Sequence, residues 1–133
     1  MLWNEMLTLY PLAFVVMSLV LGLLVGSFLN VVVWRLPKML AREWRLQAQE
    51  VLGLPDETPL PTYNLLLPHS QCPRCGHRIR AWENIPLLSY LFLRGRCSHC
   101  ATSISKRYPL TELACGLLSA FIAWHFGFGW QAL

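Results

Sequence analysis

The sequence predicts a mainly α-helical membrane protein in which two transmembrane helices flank a small cytoplasmic, zinc-ribbon-like module with short β-strands. Three observations predict this architecture: a long uncharged segment near the N-terminus, a second apolar segment near the C-terminus, and four cysteines between them. We expect five regions: an N-terminal tail, a first span, a linker region with an amphipathic helix, a metal module and a second span. Their predicted bounds are 1–11, 12–34, 35–68, 69–109 and 110–133.

Residues 12–34 form the first predicted span. They are 23 consecutive residues without a charged side chain. As a helix they would extend about 34 Å, which is enough to cross a hydrocarbon core of about 30 Å. A cleaved signal peptide would carry basic residues before a shorter apolar run, whereas only Glu5 precedes this one. We therefore reject the signal-peptide interpretation.

Residues 110–133 form the second predicted span. The segment is rich in Leu, Ala, Phe and Trp, although it contains Glu112 near its start. An ionisable group at the membrane boundary is a functional candidate, because burying its charge in lipid is costly. The alternative is a structural role, in which Glu112 pairs with Arg107 or Lys106 at the interface.

The basic residues indicate the orientation of the chain. All eleven lysines and arginines lie between Arg35 and Arg107, in the segment that joins the spans. By the positive-inside rule this loop is cytoplasmic and both termini face the other side. Anionic lipid head groups at the inner surface would reinforce this topology. The net charge of +4 is thus explained by topology, and we expect no nucleic-acid partner.

A stripe of small and polar residues lies along one face of the first span. Ser18, Gly22, Gly26 and Asn30 follow one another at intervals of four. Such a stripe permits close helix packing, and the amide of Asn30 needs partners in lipid. We expect this face to pack against further transmembrane helices, since two spans alone offer it little.

The segment after the first span predicts a helix and then a linker. Residues 38–52 carry apolar side chains at amphipathic spacing, and Gly53 with Pro55 would end that helix. Residues 55–68 contain four prolines. They preclude a long helix and leave extended chain, with a short strand at residues 63–67.

Four cysteines carry the strongest chemical signal. Cys72 and Cys75 form one close pair, Cys97 and Cys100 form another, and 21 residues separate the pairs. Two such turns can supply a tetrahedral thiolate site for Zn²⁺, and four thiolates leave no open position for catalysis. A module of this size cannot stabilise itself by burying apolar surface. Zinc would therefore act structurally and contribute about 10 to 16 kcal/mol of apparent binding free energy.

Other interpretations of these residues remain open. The cysteines could form disulfides, although disulfides are rare in the cytosol, and a dithiol redox site would need only one pair. His77 and His99 could replace a cysteine ligand, but we expect them at the surface. Cys115 is expected to be a small buried hydrophobe in the second span. The apolar run at residues 85–93 is expected to form short strands.

Ordered sequence strings over nearly the whole chain resemble one family. They are GSFLNVVV at 26–33, RLP at 35–37, CPRCG at 72–76, WENIPLLSY at 82–90, GRCSHC at 95–100, ISKRYPL at 104–110, and Glu112. In these strings the chain is similar to the bacterial type IV prepilin peptidases. The resemblance implies a multi-pass enzyme of the bacterial inner membrane with a zinc-binding cytoplasmic domain near its N-terminus.

The resemblance also implies activities, substrates and a cofactor. Family members remove the leader peptide of type IV prepilins or pseudopilins just after a glycine. They then methylate the new N-terminal residue with S-adenosylmethionine. No residue of this chain is assigned to the methyl donor. The expected partners are these substrates, membrane lipid and further transmembrane helices of the intact enzyme.

The peptidase chemistry implied by the resemblance needs two aspartates, one acting as base and one as acid. This chain has a single aspartate, Asp56, in the linker, where it matches no catalytic motif. We therefore assign no catalytic residue and expect an N-terminal portion, truncated near residue 133, without peptidase activity of its own. The alternative is a self-sufficient, membrane-anchored zinc ribbon that binds a protein or a nucleic acid.

Overall fold

A computed structural model describes residues 10–54 and 61–127. The described residues contain a mainly α-helical fold, as predicted. In chain order its elements are helix α1 (Pro11–Val51), a 3₁₀ helix (Ala81–Asn84), helix α2 (Leu88–Phe92) and helix α3 (Arg107–Phe126). The predicted tail up to residue 9, the linker residues 55–60 with Asp56, and the last six residues of the second span lie outside the described residues.

Helix α1 is one continuous helix of 41 residues. We predicted a span at 12–34 and a separate helix at 38–52, and the break between them is not present. Pro37 lies inside the helix and removes one backbone hydrogen bond. The residues that follow it are mostly strong helix formers, so the helix continues to Val51. Gly53, with a φ of 62°, then turns the chain at the predicted position.

Helices α1 and α3 pack closely along the small-residue stripe. A Cβ atom added at Gly22 would lie 2.6 Å from the Cys115 carbonyl oxygen, and one at Gly26 would lie 2.7 Å from Glu112 Cα. The Asn30 side-chain amide donates to the Tyr108 carbonyl oxygen at 3.1 Å. The expectation that this stripe lacks a partner among the two spans was therefore wrong, because α3 occupies it.

Both long helices are long and apolar enough to cross a membrane. Large apolar side chains such as Leu21 and Leu117 point outward and are exposed. Within the described ranges, the buried hydrophobic residues are Cys72 and Ala123. A helix pair with apolar outer faces and so little buried core is typical of a protein whose surroundings are themselves apolar.

The predicted short β-strands are absent from the part of the chain that the structure describes. Two isolated antiparallel bridges, Gln71 with Arg78 and Arg96 with Ser103, stand in their place. The predicted strand at 63–67 is a turn, because the Asn64 side-chain oxygen accepts hydrogen bonds from the backbone N–H groups of residues 66 and 67 at 2.8 and 2.6 Å.

The apolar run at 85–93 is helical rather than extended. The Ser89 N–H and hydroxyl both donate to the Ile85 carbonyl oxygen, at 3.1 and 2.8 Å, and close the first turn of α2. Leu88, Leu91 and Phe92 are spaced three and four apart, which is the helical period and not the strand period. A short apolar run alone does not separate these two possibilities.

Candidate metal centre

The first cysteine pair lies on a tight turn, here called the first knuckle (residues 70–79). The Cys72 N–H donates to the His77 carbonyl oxygen at 2.9 Å, and the Gly76 N–H donates back to the Cys72 carbonyl oxygen at 2.9 Å. Gly76 has a φ of 70°, a conformation that glycine adopts at little cost. These bonds point the sulfur atoms of Cys72 and Cys75 to the same side of the turn.

The second cysteine pair lies on a turn with the same hydrogen bonds, the second knuckle (residues 95–104). The Cys97 N–H donates to the Thr102 carbonyl oxygen at 2.9 Å, and the Ala101 N–H donates to the Cys97 carbonyl oxygen at 3.0 Å. Ala101 occupies the position of Gly76 and has a φ of 54°. The two knuckles are thus structural repeats 25 residues apart, a relation that the sequence shows in the cysteines and in Ile79 and Ile104.

The two knuckles bring four sulfur atoms together. The Sγ atoms of Cys72, Cys75, Cys97 and Cys100 all lie within 4.8 Å of one another, and Cys72 Sγ is 3.7 Å from Cys100 Sγ. In a tetrahedral site with Zn–S distances of about 2.3 Å, neighbouring sulfurs are about 3.8 Å apart. The cluster therefore has the dimensions that a thiolate-bound metal ion requires.

The structure does not contain the alternative disulfide pairing. All five cysteines are free, whereas a disulfide would place two sulfurs about 2.05 Å apart. Cys115 lies on α3 against Gly26, away from the four-sulfur cluster, and it is half-buried rather than buried as expected. The four cysteines singled out by the sequence are thus positioned to bind one metal ion.

The two thiols of the first knuckle have pKa values shifted in opposite directions, although backbone N–H groups lower both. Cys72 has its pKa lowered to about 6, because the backbone N–H of Cys75, and then that of Arg74, donate to its sulfur. The His77 N–H lowers the pKa of Cys75, but desolvation and the three neighbouring thiols outweigh it and raise the value to about 12. Thiols that share one site cannot all ionise without a cation, and a divalent ion at their centre would favour the thiolate form of all four.

Glu83 joins the two knuckles beside the sulfur cluster. The Arg80 N–H donates to its Oε2 at 2.8 Å, and His77 Nε2 lies 3.5 Å from the same oxygen. The Arg80 N–H, then the Ser98 hydroxyl and His77, lower the pKa of Glu83, so this carboxylate is ionised at neutral pH. The ring of His77 also stacks on His99, with 5.4 Å between their centroids. Neither histidine belongs to the cluster: His99 is exposed as expected, whereas His77 is half-buried.

Two arginines of α1 hold the chain that leads into the first knuckle. Arg35 is buried and donates to the carbonyl oxygens of Asn64 and Pro68 at 2.8 and 2.6 Å. Arg42 donates to the Pro61 carbonyl oxygen at 2.7 Å. In the sequence these arginines were interpretable mainly as topological signals. The RLP string that begins at Arg35 was the available hint of a more specific role.

Glu112 connects α3 to the loop between the knuckles. It is buried, and its Oε2 accepts a hydrogen bond from the Leu87 N–H at 2.9 Å. The predicted ion pair with Arg107 or Lys106 is not found among the described residues, in which the one ion pair joins His77 to Glu83. A backbone amide, and not a cation, is therefore the partner of this carboxylate.

The fold and the site together define a class of domain in which four cysteines positioned to bind a metal ion are joined to two helices apolar enough to cross a membrane. Residues 20–126 match the family described as the Bacterial Peptidase A24 N-terminal domain. Since this match covers most of the chain, the chain belongs to that family. No solved structure matches the chain.

Relatives in several bacteria carry one name, prepilin leader peptidase/N-methyltransferase. The relative from Stutzerimonas stutzeri is 67% identical over 128 residues, which are 96% of this chain and 44% of the relative. The Pseudomonas aeruginosa relative is 66% identical over 92% of this chain and 42% of its own length. The Neisseria gonorrhoeae relative is 51% identical over 98% and 46%. The chain thus spans less than half the length of these curated relatives.

Proposed function

We propose that this chain is the N-terminal part of a bifunctional inner-membrane enzyme that cleaves prepilin or pseudopilin leader peptides and N-methylates the new N-terminus. The observation that carries the proposal is the identity of 67% to a prepilin leader peptidase/N-methyltransferase over 96% of the chain. At that level of identity the two share a fold.

The proposed role of this part is to organise the cytoplasmic side of the enzyme around a structural zinc ion. Cys72, Cys75, Cys97 and Cys100 would hold the ion, and the sulfur separation of 3.7 Å supports this assignment. Zinc supplies folding free energy here and no reactive position, because four thiolates complete its tetrahedral shell. Glu83 and the backbone N–H groups of the first knuckle would keep the ligands oriented.

The proposed topology places the knuckles in the cytoplasm. All eleven basic residues lie between Arg35 and Arg107. Asn30, near the end of the first uncharged run, donates a hydrogen bond to Tyr108 at the start of α3. This contact brings the end of one span to the start of the other, and it supports a location of the intervening segment on one side of the membrane. The positive-inside rule then assigns that side to the cytoplasm.

Peptide hydrolysis itself is proposed to depend on residues beyond this chain. An aspartyl peptidase needs two carboxyl groups, one acting as general base and the other as general acid. Asp56 is the one aspartate in the sequence. S-adenosylmethionine is the proposed methyl donor of the whole enzyme, and no described residue is assigned to it.

A chimaera tests the proposal directly. The matching N-terminal 44% of the Stutzerimonas stutzeri relative would be replaced by this chain, and the product expressed in cells that lack their own prepilin peptidase. We expect the chimaera to remove the prepilin leader and methylate the mature N-terminus, as read by immunoblot and by peptide mass. We expect this chain alone to do neither.

Two cysteine variants of the chimaera separate the metal site from the rest. Cys97→Ser should lose its bound zinc and its activity, whereas Cys115→Ser, which removes a sulfur outside the cluster, should keep both. A chimaera that inserts into the membrane and binds zinc but leaves prepilin uncleaved would contradict the proposed function. Cleavage by this chain alone would show that the peptidase site is not where we place it.

A further inference from the structure

The loop between the knuckles reaches to the depth of the candidate membrane spans. Its Leu87 N–H donates to Glu112, and Glu112 Cα packs against Gly26. Gly26 lies eight residues inside Trp34, the end of the uncharged run, which corresponds to about 12 Å along the helix. Glu112 also lies five residues after Arg107, or about 7.5 Å along α3, so the Leu87 amide lies near the cytoplasmic boundary of the two candidate spans.

A backbone N–H at this depth needs a partner from the protein. Water is scarce below the head groups, so an unpaired amide is costly there. Leu87 has a φ of 59°, and its N–H points at a carboxylate that is only 9% exposed. This contact indicates a role for Glu112 that the sequence left open. Its carboxylate accepts the hydrogen bond of a backbone N–H in an irregular segment, where water is scarce.

Helix α2, which follows directly, exposes an apolar face. Leu88, Leu91 and Phe92 share one side of the helix because they are three and four residues apart. Leu91 is 70% exposed and Phe92 is 84% exposed. Exposed apolar side chains grouped in this way mark a contact surface.

The residues after α2 carry the charge that suits a lipid surface. Arg94 and Arg96 follow the apolar face, and neither is paired with a carboxylate among the described residues. An apolar helix face bordered by arginines is the pattern of segments that lie in the membrane interface, with the arginines at the phosphates.

We propose that residues 85–92 form a membrane-inserted loop, in which α2 lies in the cytoplasmic interface of an anionic bilayer. Its apolar face contacts acyl chains, Arg94 and Arg96 contact lipid phosphates, and Glu112 holds the loop at that depth. The inference rests on the proposed membrane location of α1 and α3. It goes beyond that location by assigning lipid contact to the segment between the two knuckles.

Photocrosslinking to lipid tests this proposal. Benzoylphenylalanine would be incorporated singly at positions 92, 28 and 51 of the chain in vesicles of phosphatidylethanolamine and phosphatidylglycerol, and in cell membranes. Position 51 is a matched control, because Val51 is 86% exposed but lies 17 residues beyond Trp34, which is roughly 25 Å along α1. Position 28 lies in the first span and reports whether that span is in the membrane.

We expect phospholipid adducts at positions 28 and 92, detected by mass, and none at position 51. Adducts at 28 without adducts at 92 would overturn the inference and leave the membrane location intact. A crosslink from 92 to protein would also overturn it, because another polypeptide would then cover α2. If position 28 also gives no adduct, the membrane location fails together with the inference. Position 91 serves as an independent repeat, and bound zinc confirms folding of each variant.

Discussion

Replacing Gly26 by alanine tests the packing of α1 against α3. The new Cβ atom would lie 2.7 Å from Glu112 Cα and 3.0 Å from the Thr111 carbonyl oxygen. Carbon atoms in ordinary contact are about 3.5–4.0 Å apart, so the helices would have to separate by roughly 1 Å. Both obstructing atoms belong to the backbone, and no side-chain rotation can relieve the contact.

The expected cost of Gly26→Ala follows from that displacement. Overpacking of a close contact destabilises by about 1–3 kcal/mol, which raises the unfolding equilibrium constant roughly 5- to 150-fold. Alanine has the higher helix propensity, by about 1 kcal/mol, so the net effect should fall in the lower part of this range. The separation of the helices should also lengthen the hydrogen bond from the Asn30 side chain to the Tyr108 carbonyl oxygen, because this bond joins the same two helices.

The measurement is unfolding of the zinc-bound chain in dodecyl maltoside micelles with increasing sodium dodecyl sulfate, followed by near-ultraviolet circular dichroism of its tryptophans. Val25→Ile is the matched control, because it adds one carbon to the neighbouring, exposed position of the same helix. We expect the control to unfold like the parent chain and Gly26→Ala to unfold at lower detergent fraction. Superimposable curves for all three would refute the packing inferred for this helix pair.

Three further predictions concern the knuckles and their attachment. Gly76→Ala should destabilise the zinc-bound chain by about 1 kcal/mol, because a positive φ is unfavourable for alanine. Ala101→Gly should stabilise the chain by up to the same amount. If both variants shift the thermal midpoint in the same direction, the two turns are not equivalent. Arg35→Lys should lower the free energy of unfolding by about 1–3 kcal/mol, since one ammonium cannot donate to two buried carbonyl oxygens as the guanidinium does. The same variant should make residues 61–68 accessible to protease. A variant as protease-resistant as the parent chain would contradict this prediction. Glu112→Ala should destabilise the chain by a similar amount, because the Leu87 amide loses its hydrogen-bond acceptor. Glu112→Gln keeps an acceptor oxygen and should therefore retain most of the stability of the parent chain.

The elements that the sequence predicted well are those specified by composition and spacing. The first part of α1 follows from a long uncharged run, because a helix pairs the backbone groups of such a run within the segment itself. The close approach of the four sulfur atoms follows from two cysteine pairs, because each pair fixes two sulfurs on one turn. The family resemblance rests on the same strings and was confirmed by the match over residues 20–126.

The features that sequence reasoning missed depend on contacts between distant residues. The sequence predicted separate helices at 12–34 and 38–52, yet the helix-forming residues after Pro37 continue α1 to Val51. The run at 85–93 has no period long enough to distinguish strand from helix. Arg35 and Glu112 both carry charge, and their partners are backbone groups 29 and 25 residues away, which no charge pattern identifies.

The continuity of α1 has a mechanical consequence. The helix extends 17 residues past Trp34, or roughly 25 Å beyond the uncharged run. A change in span tilt of about 10°, within the ordinary range for membrane helices, would swing its far end sideways by roughly 4 Å. Arg42, on this far part of the helix, donates a hydrogen bond to the Pro61 carbonyl oxygen. A change in bilayer thickness that tilts α1 would therefore displace the segment that leads into the first knuckle.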